Sequence, residues 1–211
     1  MEFRAKGHEA YSCDIIDCSG GHPEWHIKED VLPLINGNCK FQTCDGVEHE
    51  VTGKWDLLLA FPPCTHLAVS GAVHFEKKRA DGRQREAIEF FCQFFEADCD
   101  HVAIENPVNI ISGEYIKKWF PDLVERYGLP RKCSQRFQPY QFGDPLEKLT
   151  CLWLKGLPLL KETKVVTPPP RQVLRSGITM PRWYSNCGGD RRKARSKTFP
   201  GVAKAMADQW G

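Results

Sequence analysis

A cysteine follows two prolines at the end of an apolar run, in the stretch WDLLLAFPPCTHLAVSG that begins at Trp55. The prolines fix the backbone φ angle and remove hydrogen-bond donors, which a cysteine that only fills space does not need. A thiol held in such a turn is suited to nucleophilic attack. The alternative is that Cys64 is a small buried hydrophobic residue, as free cysteines commonly are.

A carboxyl group and an amide end the next apolar run, HVAIENP, which begins at His101. Burial at the end of this run would raise the pKa of Glu105, so that its carboxyl holds a proton near neutral pH. Asn106 could orient that carboxyl. The alternative is a carboxylate that pairs with an arginine or caps the next turn. A nucleophilic thiol beside a protonated carboxyl indicates covalent catalysis.

Both runs are typical of strands buried on two faces, because their apolar residues do not alternate with polar ones. Between them, the stretch DGRQREAIEFFCQFFEADC predicts a helix with one apolar face, and Asp81 is its expected N-cap. The side chains on that face are Ala87, Ile88, Phe91, Phe94 and Phe95. Further strands are predicted over 10–16 and 150–156, and a helix over FPGVAKAMADQW near the C-terminus.

This alternation of strands and helices predicts an α/β doubly wound sheet with helices on both faces. Ligands bind beyond the carboxyl ends of the strands in such sheets. Asp14, Cys64 and Glu105 would all lie at that edge. A chain of 211 residues is long enough to fold as a single domain, 1–211.

The composition is that of a soluble protein, with 41% hydrophobic and 27% charged residues. No apolar run approaches the roughly 20 residues of a membrane span, and no signal sequence is visible, so we expect a cytoplasmic protein. The ten cysteines include no CxxC pair. Cys18, His22 and His26 have helical spacing, but intervening glycines and a proline would break that helix, so no metal site is predicted.

Basic residues are concentrated near the C-terminus although the net charge is only +2. The segment 157–197 is short, basic and rich in proline, and Trp183 and Tyr184 lie among its cations. Such a surface can neutralise phosphates and stack on bases, with Arg191 and Arg192 as candidate contacts. The alternative is a solvated charged loop.

Four segments in order resemble the C5-cytosine DNA methyltransferase family, most of all its small phage and prophage members. They are AFPPCTHLAVSG, IENPV, FGDPLEKLTCLWLKGLP and RSKTFPGVAKAMADQW. The resemblance implies a Rossmann-like sheet that binds S-adenosylmethionine. It also implies methyl transfer to C5 of a cytosine in DNA, with the base in a single strand or flipped out of the duplex.

The resemblance also implies roles for individual residues. Cys64 would attack C6 of the cytosine, while Glu105, with Asn106 beside it, would hold N3 and the exocyclic amine. Lys148 stands where the family carries an arginine that helps to hold the base. Arg136, in SQRFQPY, is a rival for that role.

The remaining positions divide between cofactor and substrate. The resemblance assigns cofactor contacts to Asp14, Asp30, Pro62 and Thr198. It assigns contacts with DNA to Pro63, Thr65 and Ser70, and the basic segment adds Arg191 and Arg192.

Two departures from the family keep other functions open. The family's first strand and glycine-containing cofactor loop have no counterpart, so the first strand of the sheet is expected to be missing. A short segment, 157–197, stands in place of a large target-recognition region. One alternative is therefore a non-catalytic remnant that binds nucleic acid. Another is an enzyme that modifies cytidine nucleotides or RNA.

Overall fold

This computed structural model describes residues 1–168, 170–173, 177, 179–181 and 198–211. The strands in these ranges are β1 (Ser12–Cys13), β2 (His26–Ile27), β3 (Cys39–Gln42), β4 (Glu48–Val51), β5 (Leu58–Ala60), β6 (Val102–Pro107), β7 (Gln135–Phe137), β8 (Thr150–Lys155), β9 (Arg171–Val173) and β10 (Thr179–Pro181). The α-helices are α1 (Glu2–Ala5), α2 (Phe75–Ala80), α3 (Arg83–Glu96), α4 (Tyr115–Trp119), α5 (Pro121–Tyr127) and α6 (Pro200–Trp210). None of these helices is long and apolar enough to cross a membrane.

The largest sheet has four strands in the order β5-β6-β8-β7. β5 runs parallel to β6, whereas β8 is antiparallel to both β6 and β7. The other strands form two-stranded sheets, of which β1–β2 is parallel and β3–β4 and β9–β10 are antiparallel. The described part of the chain is therefore a mixed α/β protein with several small sheets.

Side chains of the four-stranded sheet alternate between two apolar cores, because successive residues of a strand face opposite sides. On β8, Cys151 and Trp153 belong to the core that contains Phe91 of α3, and the Phe91 and Trp153 rings are 5.2 Å apart. Leu152 lies between them and packs instead with Val202 of α6. The predicted placement of helices on both faces is confirmed for this sheet.

The predicted helix between the two apolar strands is confirmed, and Ile88, Phe91 and Phe94 are buried on its inner face. Its N-cap is Gly82, with a φ of 82°, and the prediction of Asp81 was wrong. A left-handed backbone of this kind favours glycine over every other residue. The Asp81 carboxylate accepts a hydrogen bond of 3.3 Å from the backbone N–H of Arg83 instead.

The prediction of one large Rossmann-like parallel sheet is not confirmed by the described residues. β1 is much shorter than the predicted strand over 10–16, and it pairs only with β2 among the described strands. β8 joins the larger sheet in the antiparallel direction. An apolar run predicts a buried strand but not its partner or direction, so these features could not be deduced from periodicity.

Candidate active site

The parallel pair β5–β6 brings the two predicted catalytic segments to one edge of the sheet. Ala60, the last residue of β5, lies opposite Ile104. Phe61, the residue after β5, is therefore level with Glu105 of β6, and Cys64 lies three residues further along the chain. Because the carboxyl ends of parallel strands share an edge, the thiol and the carboxyl come from neighbouring strand ends, as predicted.

A buried amide joins these two segments directly. Asn106 is 1% exposed, and its side-chain nitrogen donates a hydrogen bond of 2.7 Å to the carbonyl oxygen of Pro62. Its side-chain oxygen accepts a bond of 3.0 Å from Asn109. A buried amide left unpaired would cost about 1–3 kcal/mol. Asn106 therefore holds the Pro-Pro-Cys turn against the strand that carries Glu105, and the expectation that it orients the Glu105 carboxyl was wrong, because its amide bonds Pro62 and Asn109 instead.

Two polar side chains support the turn that carries Cys64 from its other side. Lys78, which is buried, donates a bond of 2.6 Å to the backbone carbonyl of Thr65. Gln84 donates a bond of 3.1 Å to the carbonyl of His66. Neither residue was predicted from the sequence. A signal existed for Gln84, since it precedes Ile88 by four positions and so lies on the apolar face of α3.

Glu105 faces α6, because Val102 and Ile104 of the same strand pack toward α3. Its carboxylate lies 3.7 Å from the Nζ atom of Lys148, and the two side chains are only 18% and 20% exposed. Burial raises the pKa of Glu105, and this effect outweighs the charge of Lys148 and the hydrogen bonds from Lys148 and Thr150, which lower it. The Glu105 carboxyl is therefore easier to protonate near neutral pH than an ordinary glutamate.

A cleft beside Glu105 is closed by the C-terminal helix. Its lining residues include Phe61, Lys148, Thr150, Thr198, Phe199 and Met206. The Nζ atom of Lys148 lies 5.6 Å from the centre of the Phe199 ring. Thr198, predicted as a cofactor contact, thus lies in the same cleft as the carboxyl.

The segment TFPG reaches this cleft because α6 begins very close to another part of the backbone. A Cβ atom on Gly201 would be 2.0 Å from the carbonyl oxygen of Phe142. The Gly201 N–H also donates a bond of 2.9 Å to the carboxylate of Asp144. Only glycine permits this approach, which explains the Pro-Gly pair at the start of α6.

The structure separates the two basic residues predicted to hold the base. Arg136 is exposed and lies opposite Cys151 in the β7–β8 register. Cross-strand partners share a face of the sheet, and Cys151 packs into the core beside α3. Arg136 is therefore on the face opposite Glu105, whereas Lys148 lies next to it.

The two residues predicted to contact the nucleoside, Asp14 and Asp30, follow the strands of the small parallel sheet β1–β2. Asp14 directly follows β1, and its backbone N–H donates to the carbonyl of Ile27 at 3.1 Å. Asp30 comes after β2, and its carboxylate accepts a bond of 3.1 Å from the N–H of Leu32. Both residues are exposed at the same edge of the sheet. Both carboxylates are hydrogen-bond acceptors for a ligand that carries hydroxyl or amine donors.

The other predicted contacts surround the thiol or lie elsewhere. Pro62 is buried beneath the turn, Pro63 and Thr65 are exposed, and Ser70 is exposed in the 3₁₀ helix Val69–His74. Arg191 and Arg192 lie outside the described residues. In the part of the chain that the structure describes, no three His, Cys, Asp or Glu side chains are placed to hold a metal ion.

No protein-family model, curated protein or solved structure matches this chain. In the described residues, Cys64 follows β5, Glu105 lies on the neighbouring strand β6, and Lys148 lies 3.7 Å from Glu105.

Proposed function

We propose that this chain transfers a methyl group from S-adenosylmethionine to C5 of a cytosine in DNA. The observation that carries the proposal is the 2.7 Å hydrogen bond from Asn106 to the carbonyl of Pro62. It joins the turn of a candidate nucleophile, Cys64, to the strand end of a candidate acid, Glu105. Cytosine methylation at C5 needs both groups on one base.

The nucleophile is needed because C5 of cytosine is unreactive until a group adds at C6. The thiolate of Cys64 attacks C6, and the electron pair of the C5–C6 double bond is displaced onto the ring. Glu105, whose pKa is raised by burial, donates its proton to N3 and accepts a hydrogen bond from the exocyclic amine. The cation of Lys148 adds further stabilisation of the developing negative charge.

Bound S-adenosylmethionine would supply a methyl group to the activated C5 atom, and its sulfur–methyl bond would break as the carbon–carbon bond forms. Loss of the C5 proton to solvent water then restores the C5–C6 double bond and expels the Cys64 thiolate, and N3 returns its proton to Glu105. Asp14 and Asp30 would hold the nucleoside half of the cofactor, and Thr198 would contribute from the cleft. On duplex DNA the cytosine must first leave the base stack to reach the thiol.

The Rossmann-like sheet belongs to the same proposal. Among the described strands, β5 pairs only with β6 and β1 only with β2. One further parallel strand between β1 and β5 would join them into a single sheet in the order β2-β1-strand-β5-β6-β8-β7. Asp14 and Asp30 would then lie along the same edge as Cys64 and Glu105.

Covalent trapping tests the proposal. DNA that contains 5-fluorocytosine cannot lose fluorine from C5, so an enzyme of this class stays bonded to it through its cysteine after methyl transfer. With S-adenosylmethionine present, we expect a denaturant-resistant complex that Cys64→Ser abolishes and that Cys44→Ser, a change at an exposed thiol on a different loop, leaves unaffected. A folded native chain that forms no such complex would contradict the proposal. RNA and free nucleotide analogues, run in parallel, identify the preferred substrate.

A further inference from the structure

A cationic and aromatic surface lies beyond the Cys64 turn, where α2 and α4 pack together. The guanidinium carbon of Arg79 is 3.9 Å from the centre of the Trp119 ring and 5.6 Å from that of Tyr115. The Nζ atom of Lys118 lies 4.9 Å from the same tryptophan. Trp119 is 43% exposed, and Lys77 of α2 is exposed as well. We call these four residues, Lys77, Arg79, Lys118 and Trp119, the α2–α4 surface.

An open, mostly apolar pocket of about 430 Å³ adjoins the α2–α4 surface. Its walls include Val69, Val73, Phe75, Ile110, Tyr115 and Arg79. Val73 is 85% exposed and belongs to the 3₁₀ helix that follows the Cys64 turn. Glu76 is the single carboxylate among the lining residues. The pocket thus has mostly apolar walls with one cation, Arg79, and one carboxylate, Glu76, among them.

Hydrogen bonds connect this surface to the nucleophile's turn. Arg79 donates to the phenolic oxygen of Tyr115. The Tyr115 hydroxyl donates to the Gln84 side-chain oxygen at 2.8 Å, and the Gln84 amide donates to the carbonyl of His66 at 3.1 Å. His66 is two residues from Cys64. The position of Arg79 is therefore tied to the position of the thiol.

We infer that the α2–α4 surface holds the DNA strand next to the reacting cytosine. A phosphate would lie against Arg79 and Lys118, and a neighbouring base would lie against the apolar walls of the pocket. This inference rests on the proposed function, and it assigns strand binding to a part of the chain outside the basic segment 157–197.

The chemistry of the residues favours this occupant. Guanidinium groups bind phosphate through two parallel hydrogen bonds, and stacking on Trp119 orients the Arg79 plane in advance. Within the described residues, Tyr115 takes only one of the five N–H donors of Arg79. Base faces are apolar and bind apolar or aromatic surfaces with little sequence preference. Exposed cations beside an apolar pocket therefore match one nucleotide of a DNA strand.

Equilibrium binding of a fluorescein-labelled, cytosine-containing single-stranded DNA tests the inference, with anisotropy measured at several salt concentrations. We expect Arg79→Ala to weaken binding about tenfold, as for a lost charged hydrogen bond. Lys118→Gln should weaken it about threefold and reduce the salt slope by about 0.7, as for one lost phosphate contact on a single strand. Lys40→Gln is the matched control, because Lys40 pairs with Glu50 on the distant β3–β4 hairpin.

The outcomes separate this inference from the proposed function. Equal affinity of the native chain, Arg79→Ala and Lys118→Gln would overturn the inference, as would no measurable binding by the native chain. Lys118→Gln removes no hydrogen bond to Tyr115, so it keeps the test valid if Arg79→Ala fails to fold. A native chain that traps 5-fluorocytosine while both variants bind normally refutes the surface alone. Variants that bind weakly beside a native chain that forms no covalent complex refute the enzymatic function alone.

Discussion

The side-chain nitrogen of Gln84 lies 3.1 Å from the carbonyl oxygen of His66 and donates a hydrogen bond to it. Gln84 is completely buried at the start of α3, and its oxygen accepts a hydrogen bond of 2.8 Å from Tyr115. Gln84 thus forms hydrogen bonds both with the carbonyl of His66, two residues after Cys64, and with the hydroxyl of Tyr115 on α4. The turn that carries Cys64 is therefore held by α3.

Replacing Gln84 by methionine keeps its size and removes both hydrogen bonds. The carbonyl of His66 and the hydroxyl of Tyr115 are then left without this partner, so we expect the free energy of unfolding to fall by about 2 kcal/mol in urea titrations. Gln93→Met, at a half-buried position of the same helix, should change it by less than about 0.5 kcal/mol. If Gln84→Met and Gln93→Met lower the free energy of unfolding equally, the hydrogen bonds of Gln84 contribute no stability.

Glu105→Gln should stabilise the fold while it abolishes activity. Because burial raises the folded-state pKa of Glu105, the carboxyl is protonated in both states below its ordinary pKa of 4.5 and costs nothing there. As the pH rises above that value, the unfolded chain ionises first and the native protein loses stability. Because glutamine does not ionise, Glu105→Gln does not lose stability in this way as the pH rises.

The melting temperature of Glu105→Gln should therefore exceed that of the native chain by an amount that grows as the pH is raised toward neutrality. Covalent trapping should fall at least about 100-fold, since the proton donor to the base is gone. Thermal unfolding at several pH values measures the first effect. A difference in melting temperature that does not change with pH would mean that the pKa of Glu105 is not raised.

Lys148→Met and Arg136→Met separate the two basic candidates. Lys148 lies 3.7 Å from Glu105, so its loss should reduce trapping by about tenfold or more and raise the pKa of Glu105 further. Lys148→Arg keeps the charge and should retain most of the activity. Arg136 lies on the other face of the sheet, so its replacement should leave the pH dependence of trapping unchanged. Reduced trapping by Arg136→Met beside normal trapping by Lys148→Met would assign the role of holding the base to Arg136.

Thiol labelling should distinguish the cysteines by burial. Burial raises the pKa of Cys92 and of Cys151 to about 12, so almost no thiolate exists at either position at pH 8. We expect iodoacetamide to modify the exposed Cys44 of the folded protein and to leave these two intact, as read by peptide mass spectrometry. All three should react in denaturant. Modification of Cys92 in the folded protein at the rate of Cys44 would contradict its burial.

Local sequence features predicted much of the fold around the site. The helical period identified the buried face of α3, and the uninterrupted apolar runs identified β5 and β6. The Pro-Pro-Cys turn and the Glu-Asn pair were correctly placed at neighbouring strand ends. These features depend on residues close together in the chain, so a short stretch of sequence contains the physical information.

Other features depend on contacts between distant segments. Neither the two-residue length of β1 nor the antiparallel direction of β8 is encoded in an apolar run, because pairing depends on the neighbouring strand. The buried positions of Lys78 and Gln84 follow from the way α2 and α3 pack on the Cys64 turn. Sequence patterns describe which residues avoid water, and they do not state which polar groups meet inside.

The amino-acid sequence by itself determined which residues could react: a thiol after two prolines and a carboxyl at the end of an apolar strand. Only the tertiary structure decided which basic side chain lies beside the Glu105 carboxyl. Arg136 was the rival of Lys148 in the sequence, and the β7–β8 register puts Arg136 on the face opposite Glu105. Lys148, which precedes β8, lies 3.7 Å from Glu105. A shift of one residue in that register would exchange the faces of the β7 side chains, because side chains alternate along a strand. Only the assembled sheet places the Lys148 charge beside the half-buried Glu105 carboxyl.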